Sequence, residues 1–175
     1  YKRKRTYNIF LTIFLYAFLG FGIILTPFIV FERKLFVFIN SSMNGINVVI
    51  KNLIFKNGVL LHGGAIYVDG PEKVTYTLIN CTFINNTAWY EGGAIYFWGD
   101  GNILDISDST FIKNQNHKDN GGGAIYLNAE STGIRNSIFE NNSARSSAGG
   151  AINIDSKNTQ GVLISNCNFN NNANH

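Results

Sequence analysis

Apolar and polar positions alternate in short runs along most of this chain, and the runs themselves recur. In "GGAIYVD" from Gly63, Ile66 and Val68 flank Tyr67, and the pattern returns as "GGAIYFW" from Gly92, "GGAIYLN" from Gly122 and "GGAINID" from Gly149. A step of two is the strand period, so Ile66, Ile95, Ile125 and Ile152, with Val68, Phe97, Leu127 and Ile154, are predicted to face inward. Tyr67, Tyr96, Tyr126 and Asn153 then face outward. A second landmark keeps time with the first. Phe55, Phe83, Phe111, Phe139 and Phe169 stand 28, 28, 28 and 30 residues apart, and each of the last four opens a Phe-x-x-Asn string. The first, "FKNG", has Gly58 in the Asn place.

Five positions before each Phe the column is Ile50, Leu78, Ile106, Ile134 and Ile164; two positions before, it is Leu53, Cys81, Ser109, Ser137 and Cys167. Small and apolar columns suit an interior. Three positions before stand Asn52, Asn80, Asp108, Asn136 and Asn166, a column suited to a bend, because Asn and Asp hydrogen-bond local backbone and tolerate the left-handed region. Equivalent positions every 28 residues imply that like stacks on like, in parallel ladders about 4.8 Å apart. No helical crossover separates these strands, so the sheets close by winding the chain round itself. The predicted fold is all-β, a parallel β-helix of about four to five coils over residues 46–175, with glycines where each coil turns sharply into its next strand.

The first part of the chain breaks the pattern. "YKRKR" precedes a run without charge from Thr6 to Phe31, long enough as a helix to cross a hydrocarbon core of roughly 30 Å. Residues 1–34 are therefore expected to be an N-terminal apolar helix, a signal-anchor or long signal segment, with 35–45 a linker or N-terminal cap. The four basic residues ahead of the run predict a cytoplasmic N-terminus and an exported remainder.

Charge changes the picture once it is divided. The chain has a net charge of +3, yet six of its fourteen basic residues lie before residue 35 with a single acid, Glu32. The remaining 141 residues carry eight basic and ten acidic side chains, a net of −2. No clustered Lys and Arg remain in the folded part to hold nucleic acid.

Paired "GGAI" and Phe-x-x-Asn strings, with "INCTFINNTAWYEGGAIYF" and "ISNCNFNNN" as the fullest examples, resemble the polymorphic outer-membrane protein repeats of chlamydial autotransporters and the adhesin-like β-helix proteins of methanogenic archaea. The resemblance covers roughly residues 46–175. It implies a right-handed parallel β-helix displayed at the cell surface, with an adhesive or interaction role. No β-barrel translocator is read here, so an autotransporter assignment is not carried over.

An enzyme is the alternative, since β-helix polysaccharide lyases and glycoside hydrolases place acidic clusters on one outer face. Asp105 and Asp108, with Arg135 one coil later, are the nearest approach to such a cluster, but Asp108 stands in the Asn bend column. Asp69 and Asp155 fall in equivalent outward places three coils apart, about 14 Å, too far to share a metal. His62, His117 and His175 have no partner at ligand spacing, and the glycine strings lead into strands without the Lys-Ser/Thr of a phosphate loop. Cys81 and Cys167 share one column three coils apart, beyond disulfide reach, and read as small fillers. Catalytic residues, metals and cofactors are accordingly expected to be absent.

The residues singled out for glycan or partner contact are Tyr67, Tyr96 and Tyr126, with Trp98 beside them, because outward aromatic rows can stack on sugars or anchor an interface; stacked Tyr can equally serve the ladder itself. Sequons at Asn40, Asn80, Asn85 and Asn141 permit glycosylation, least readily at Asn80 in the bend column. The expected function is a surface-displayed, non-catalytic adhesin-like repeat protein meeting a glycan or protein of a host or neighbouring cell, attached to membrane through its N-terminal segment, with no nucleic-acid partner. Because "FNNNANH" stops short of another Gly-Gly corner, further coils or a cap are expected beyond His175, and residues 46–175 alone are expected to associate through their open end.

Overall fold

The computed structural model describes residues 23–25, 30–32, 47–70, 73–118, 121–145, 149–155, 157 and 159–175, the first two stretches as backbone only. Every regular element in them is a strand, and every strand pairing is parallel. Three sheets result. The first has eight strands and runs through Asn47–Lys51, Thr75–Ile79, Ile95–Ser107 and Ile125–Arg135. Ile66–Asp69 pairs with the start of Ile95–Ser107, and Gly161–Ser165 with the end of Ile125–Arg135. The second sheet has six strands, each later one centred on a landmark Phe, and the third has five short ones such as Thr87–Ala88 and Gln115–Asn116. Each coil visits all three in turn, which makes a parallel β-solenoid of about four turns.

The register is that of like on like. Phe83 pairs with Phe111 and Phe111 with Phe139, their rings stacked with centroids 4.7 Å apart and nearly parallel. Phe55 and Phe169 extend the same stack at 4.8 Å. Phe55, Phe83, Phe111 and Phe139 are fully buried, each worth roughly 1.5–3 kcal/mol of transfer free energy. The inward columns hold too: Ile50, Leu78, Ile106 and Ile134 are buried, as are Val68, Phe97 and Leu127. At the last coil Ile164 and Phe169 are 40% and 44% exposed, because no further described coil covers them.

Two columns turn each coil. Asn52, Asn80, Asp108, Asn136 and Asn166 have φ between 50° and 58°, the left-handed bend the Asn column predicts. A second set, Asn57, Asn85, Lys113, Asn141 and Asn171, adopts the same conformation between the second and third sheets. Immediately after it the Phe-x-x-Asn residues turn inward and build a buried amide ladder. Asn86 Nδ2 donates to Asn114 Oδ1 at 2.9 Å, Asn114 Nδ2 to Asn142 Oδ1 at 3.0 Å, and Asn142 Nδ2 to Asn172 Oδ1 at 2.9 Å. Each second N–H goes to a backbone carbonyl of the preceding coil, and each Oδ1 also accepts the backbone N–H of the preceding Asn. Gly58 ends the ladder, its N–H donating to Asn86 Oδ1.

The Gly-Gly corner is tight for a different reason. A Cβ on Gly93 would lie 2.0 Å from Gly123 O and 2.6 Å from Gln115 N, so only glycine admits the backbone that close.

The apolar helix expected over residues 1–34 is not supported. Within that segment the described residues are Ile23–Leu25 and Val30–Glu32, and both are strands, in register with Val48–Ile50 and Ile54–Lys56. Parallel pairing supplies backbone partners to the otherwise open edge of the first full coil. No described helix is long and apolar enough to cross a membrane. The rest of the leader, the 35–45 linker and the sequon at Asn40 lie outside the described residues.

Candidate interaction surface

The outward column of the Gly-Gly strand forms a second aromatic ladder. Tyr67, Tyr96 and Tyr126 are paired in register, their rings stacked at 5.2 and 5.3 Å and within 11° of parallel. Tyr96 therefore has both faces against other tyrosines, and what the ladder turns to solvent is ring edges and hydroxyls. Tyr67 Oη donates to Asp69 Oδ2 at 2.6 Å and Tyr126 Oη to Asp155 Oδ2 at 3.0 Å. Burial, then the hydrogen-bonded Asp69 carboxylate, pushes the Tyr67 phenol up to about 12. Burial raises Tyr96 and Tyr126 well above the ordinary phenol range, reinforced at Tyr126 by Asp155. Asp155 is held below the usual carboxylate range, first by the Lys157 backbone N–H and also by Tyr126.

The corner before this strand adds groups that spacing alone does not suggest. His62 Nδ1 lies 2.5 Å from Glu91 Oε2, and the His62 ring stacks on Tyr90 at 5.1 Å and tilts against Tyr96 at 5.2 Å. His62 and Glu91 each stand immediately before Gly-Gly, so they are neighbours once coils are superposed; that correspondence is the signal for a pair 29 residues apart. Trp89, half exposed, meets His117 edge-on at 5.7 Å. Trp98 is 40% exposed and makes no ring contact among the described residues. The residues singled out from the sequence thus divide: Tyr67, Tyr96 and Tyr126 stack on one another, whereas Trp98 is exposed and stacks on no other ring among the described residues.

The acidic candidates do not converge. Asp105 is matched by Arg135 at 3.6 Å across the surface, above Gly133. Asp108 is a bend residue with φ 52°, its Oδ1 accepting from Asn136 Nδ2. Among the described residues no three of His, Cys, Asp and Glu are grouped to hold a metal. Cys81 is buried and Cys167 half-buried, both with free thiols; burial raises the Cys81 thiol. Asn80, Asn85 and Asn141 of the sequons are exposed bend residues.

Residues 80–97, 108–128 and 136–155 match the family model of the Chlamydia polymorphic membrane protein repeat. Three stretches of the chain are similar to that repeat. Each matched stretch opens on a left-handed bend residue, Asn80, Asp108 or Asn136, and continues into the next Gly-Gly strand. The family repeat thus takes in the Phe stack, the buried Asn ladder, the Gly-Gly corner and the outward positions Tyr96, Tyr126 and Asn153. It leaves out Trp98 and the strand segments 98–107 and 129–135. No curated protein and no solved structure matched the chain.

Proposed function

We propose that this is a surface-displayed, non-catalytic adhesin-like repeat protein, exported behind its basic and apolar leader, that meets a glycan or protein of a host or neighbouring cell along its Gly-Gly face. The observation that carries this reading is the concentration of exposed aromatic groups on that face, Trp98 on the strand with Tyr90 and Trp89 at the corner, in a solenoid with three stretches similar to the polymorphic membrane protein repeat. Catalysis asks for one singular cluster, and the nearest carboxylates are matched by Arg135 or serve a bend. Adhesion asks only for a long surface of similar composition.

Two measurements test the proposal. The chain displayed on beads should retain cells, and substitution of Trp98 together with Tyr90 by Ala should release them while far-UV circular dichroism stays unchanged. Incubation with acidic and neutral polysaccharides should leave their chain length unaltered; cleavage abolished by Asp105→Asn or Asp108→Asn would replace the adhesive reading with an enzymatic one.

A further inference from the structure

The outward strip of the Gly-Gly strands is rich in carboxylates as well as aromatic. Asp69, Asp100, Glu130 and Asp155 lie on it, and Glu91 borders it at the corner. The basic groups near it are unevenly placed. Lys73 and Glu130 both approach Gly101, Lys157 sits beside Asp155, and His62 is taken by Glu91. Asp69 and Asp100 have no basic partner among the described residues, and both are exposed.

Those two acids bracket Trp98. Asp69 is its register partner in the preceding coil, about 4.8 Å along the axis, and Asp100 lies two residues on along the same strand, about 6.8 Å away on the same side. In the following coil the register partner is Asn128, on the same outward side by strand alternation, 1% exposed, with an Oδ1 that lacks any hydrogen-bond donor. An exposed indole and two carboxylates without a basic partner share one chemistry. They suit a cation that carries N–H groups: a cation over an indole is attracted by the ring quadrupole within about 6 Å, a distance that leaves both carboxylates in reach.

We infer that Trp98, Asp69 and Asp100 form a subsite for a lysine or arginine side chain on a basic polypeptide segment of the partner. This rests on the adhesive reading above and names its ligand. Asp69 and Asp100 are two charges without a basic partner, about 4.8 and 6.8 Å from one indole, and two such charges match the successive cations of a basic polypeptide segment rather than a single ammonium group. A neutral sugar would leave Asp69 and Asp100 without a countercharge.

The test uses the full chain on beads with three probes: a lysine- and arginine-bearing decapeptide, the same peptide acetylated at its lysines with citrulline for arginine, and a neutral polysaccharide. The basic peptide should bind, weaken steeply as salt is raised, and lose affinity about tenfold on Trp98→Ala and about fivefold on Asp69→Asn with Asp100→Asn. The modified peptide and the polysaccharide should not bind. Trp98→Tyr should restore part of the loss, which separates the ring from the fold. Peptide binding within twofold of the parent in all variants, or equal binding of the polysaccharide, overturns the inference. Cell retention measured on the same beads separates the two readings: retention that persists in variants blind to the peptide sinks the subsite alone, whereas no retention by the parent sinks the adhesive reading with it.

Discussion

Substituting Asn114 by Ala should remove the centre of the buried amide ladder. The side chain is fully buried and makes four hydrogen bonds: it donates to Asn142 Oδ1 and Phe83 O, and accepts from the backbone N–H and the Nδ2 of Asn86. Asn142 Oδ1 keeps its bond from the Asn114 backbone, so that acceptor is not stranded. The backbone N–H of Asn86 and one N–H of its amide are. Each stranded buried donor costs about 1–3 kcal/mol, so the loss is about 2–6 kcal/mol, at the lower end if one water fills the vacated space. That is a large part of the 5–15 kcal/mol typical of a folded domain. Asn172→Ala supplies the comparison. It strands the equivalent donors of Asn142 at a half-exposed position, where solvent replaces the lost acceptor, and should cost about 1 kcal/mol. Urea unfolding gives the difference, and amide exchange gives its place: in Asn114→Ala the Asn86 amide should lose protection while the Asn114 amide, bonded to Asn142, keeps it. Equal effects of the two substitutions, or an Asn86 amide as protected as in the parent, would refute the claim that the ladder is a sum of satisfied buried groups.

Gly93→Ala should drive a methyl group into the Gly123 carbonyl and cost about 1–3 kcal/mol or more, whereas Gly161→Ala, with nothing within 4 Å, should be neutral; thermal unfolding checks both. Burial and the Asp69 carboxylate push the Tyr67 phenol up to about 12 from its ordinary 10.0, so the stability from its neutral form is complete below pH 10 and lost as pH rises through about 12. Tyr67→Phe should flatten that alkaline loss in pH-dependent urea unfolding. Asp155 is shifted the other way, so its contribution is present above the ordinary carboxylate pKa and lost as pH falls through the lowered value; Asp155→Asn should flatten the acid limb. Cys167 should react with a thiol reagent in the folded protein while the buried Cys81 does so only on unfolding. Cys81→Ser should cost less than about 1 kcal/mol, because Ser109 and Ser137 already hold that column with their hydroxyls on the carbonyl two residues back.

What the sequence made legible is what recurs. The 28-residue beat places Phe83 on Phe111, Ile95 on Ile125 and Tyr96 on Tyr126, because in a solenoid a shared position in the period is a spatial contact. The bend at Asn80 and Asp108 was readable because few residues other than glycine tolerate φ near 50°. The Phe-x-x-Asn amide was visible as a landmark but not as a buried ladder, since polarity alone argues for solvent and only stacking gives each amide partners above and below. His62 and Glu91 escaped because the corner column is His, Glu, Gly and Ala, a one-off pair inside a periodic frame. Outwardness of the tyrosines was correct in direction, but a period says nothing of ring faces, and these are taken by one another. At Ile23–Leu25 and Val30–Glu32 strands stand where a helix is expected, because uninterrupted hydrophobicity is common to helices and to strands added at a sheet edge.

Identical contacts from coil to coil have a consequence for how such a gene can change. Deleting or duplicating 28 residues, from Phe83 to Phe111 for instance, would leave Phe on Phe, amide on amide and Gly-Gly on Gly-Gly at the new junction. Unequal recombination between repeats therefore yields proteins of different length without passing through a misfit. A gain of one residue inside a strand would instead turn the outward positions beyond it toward the core. Between Phe139 and Phe169, where the interval is 30, a turn at Lys157 lies between strands Ile152–Ile154 and Gly161–Ser165. Lineages of this protein should vary in whole coils and in the loops between them, and scarcely at all in the number of residues between a landmark Phe and its Asn.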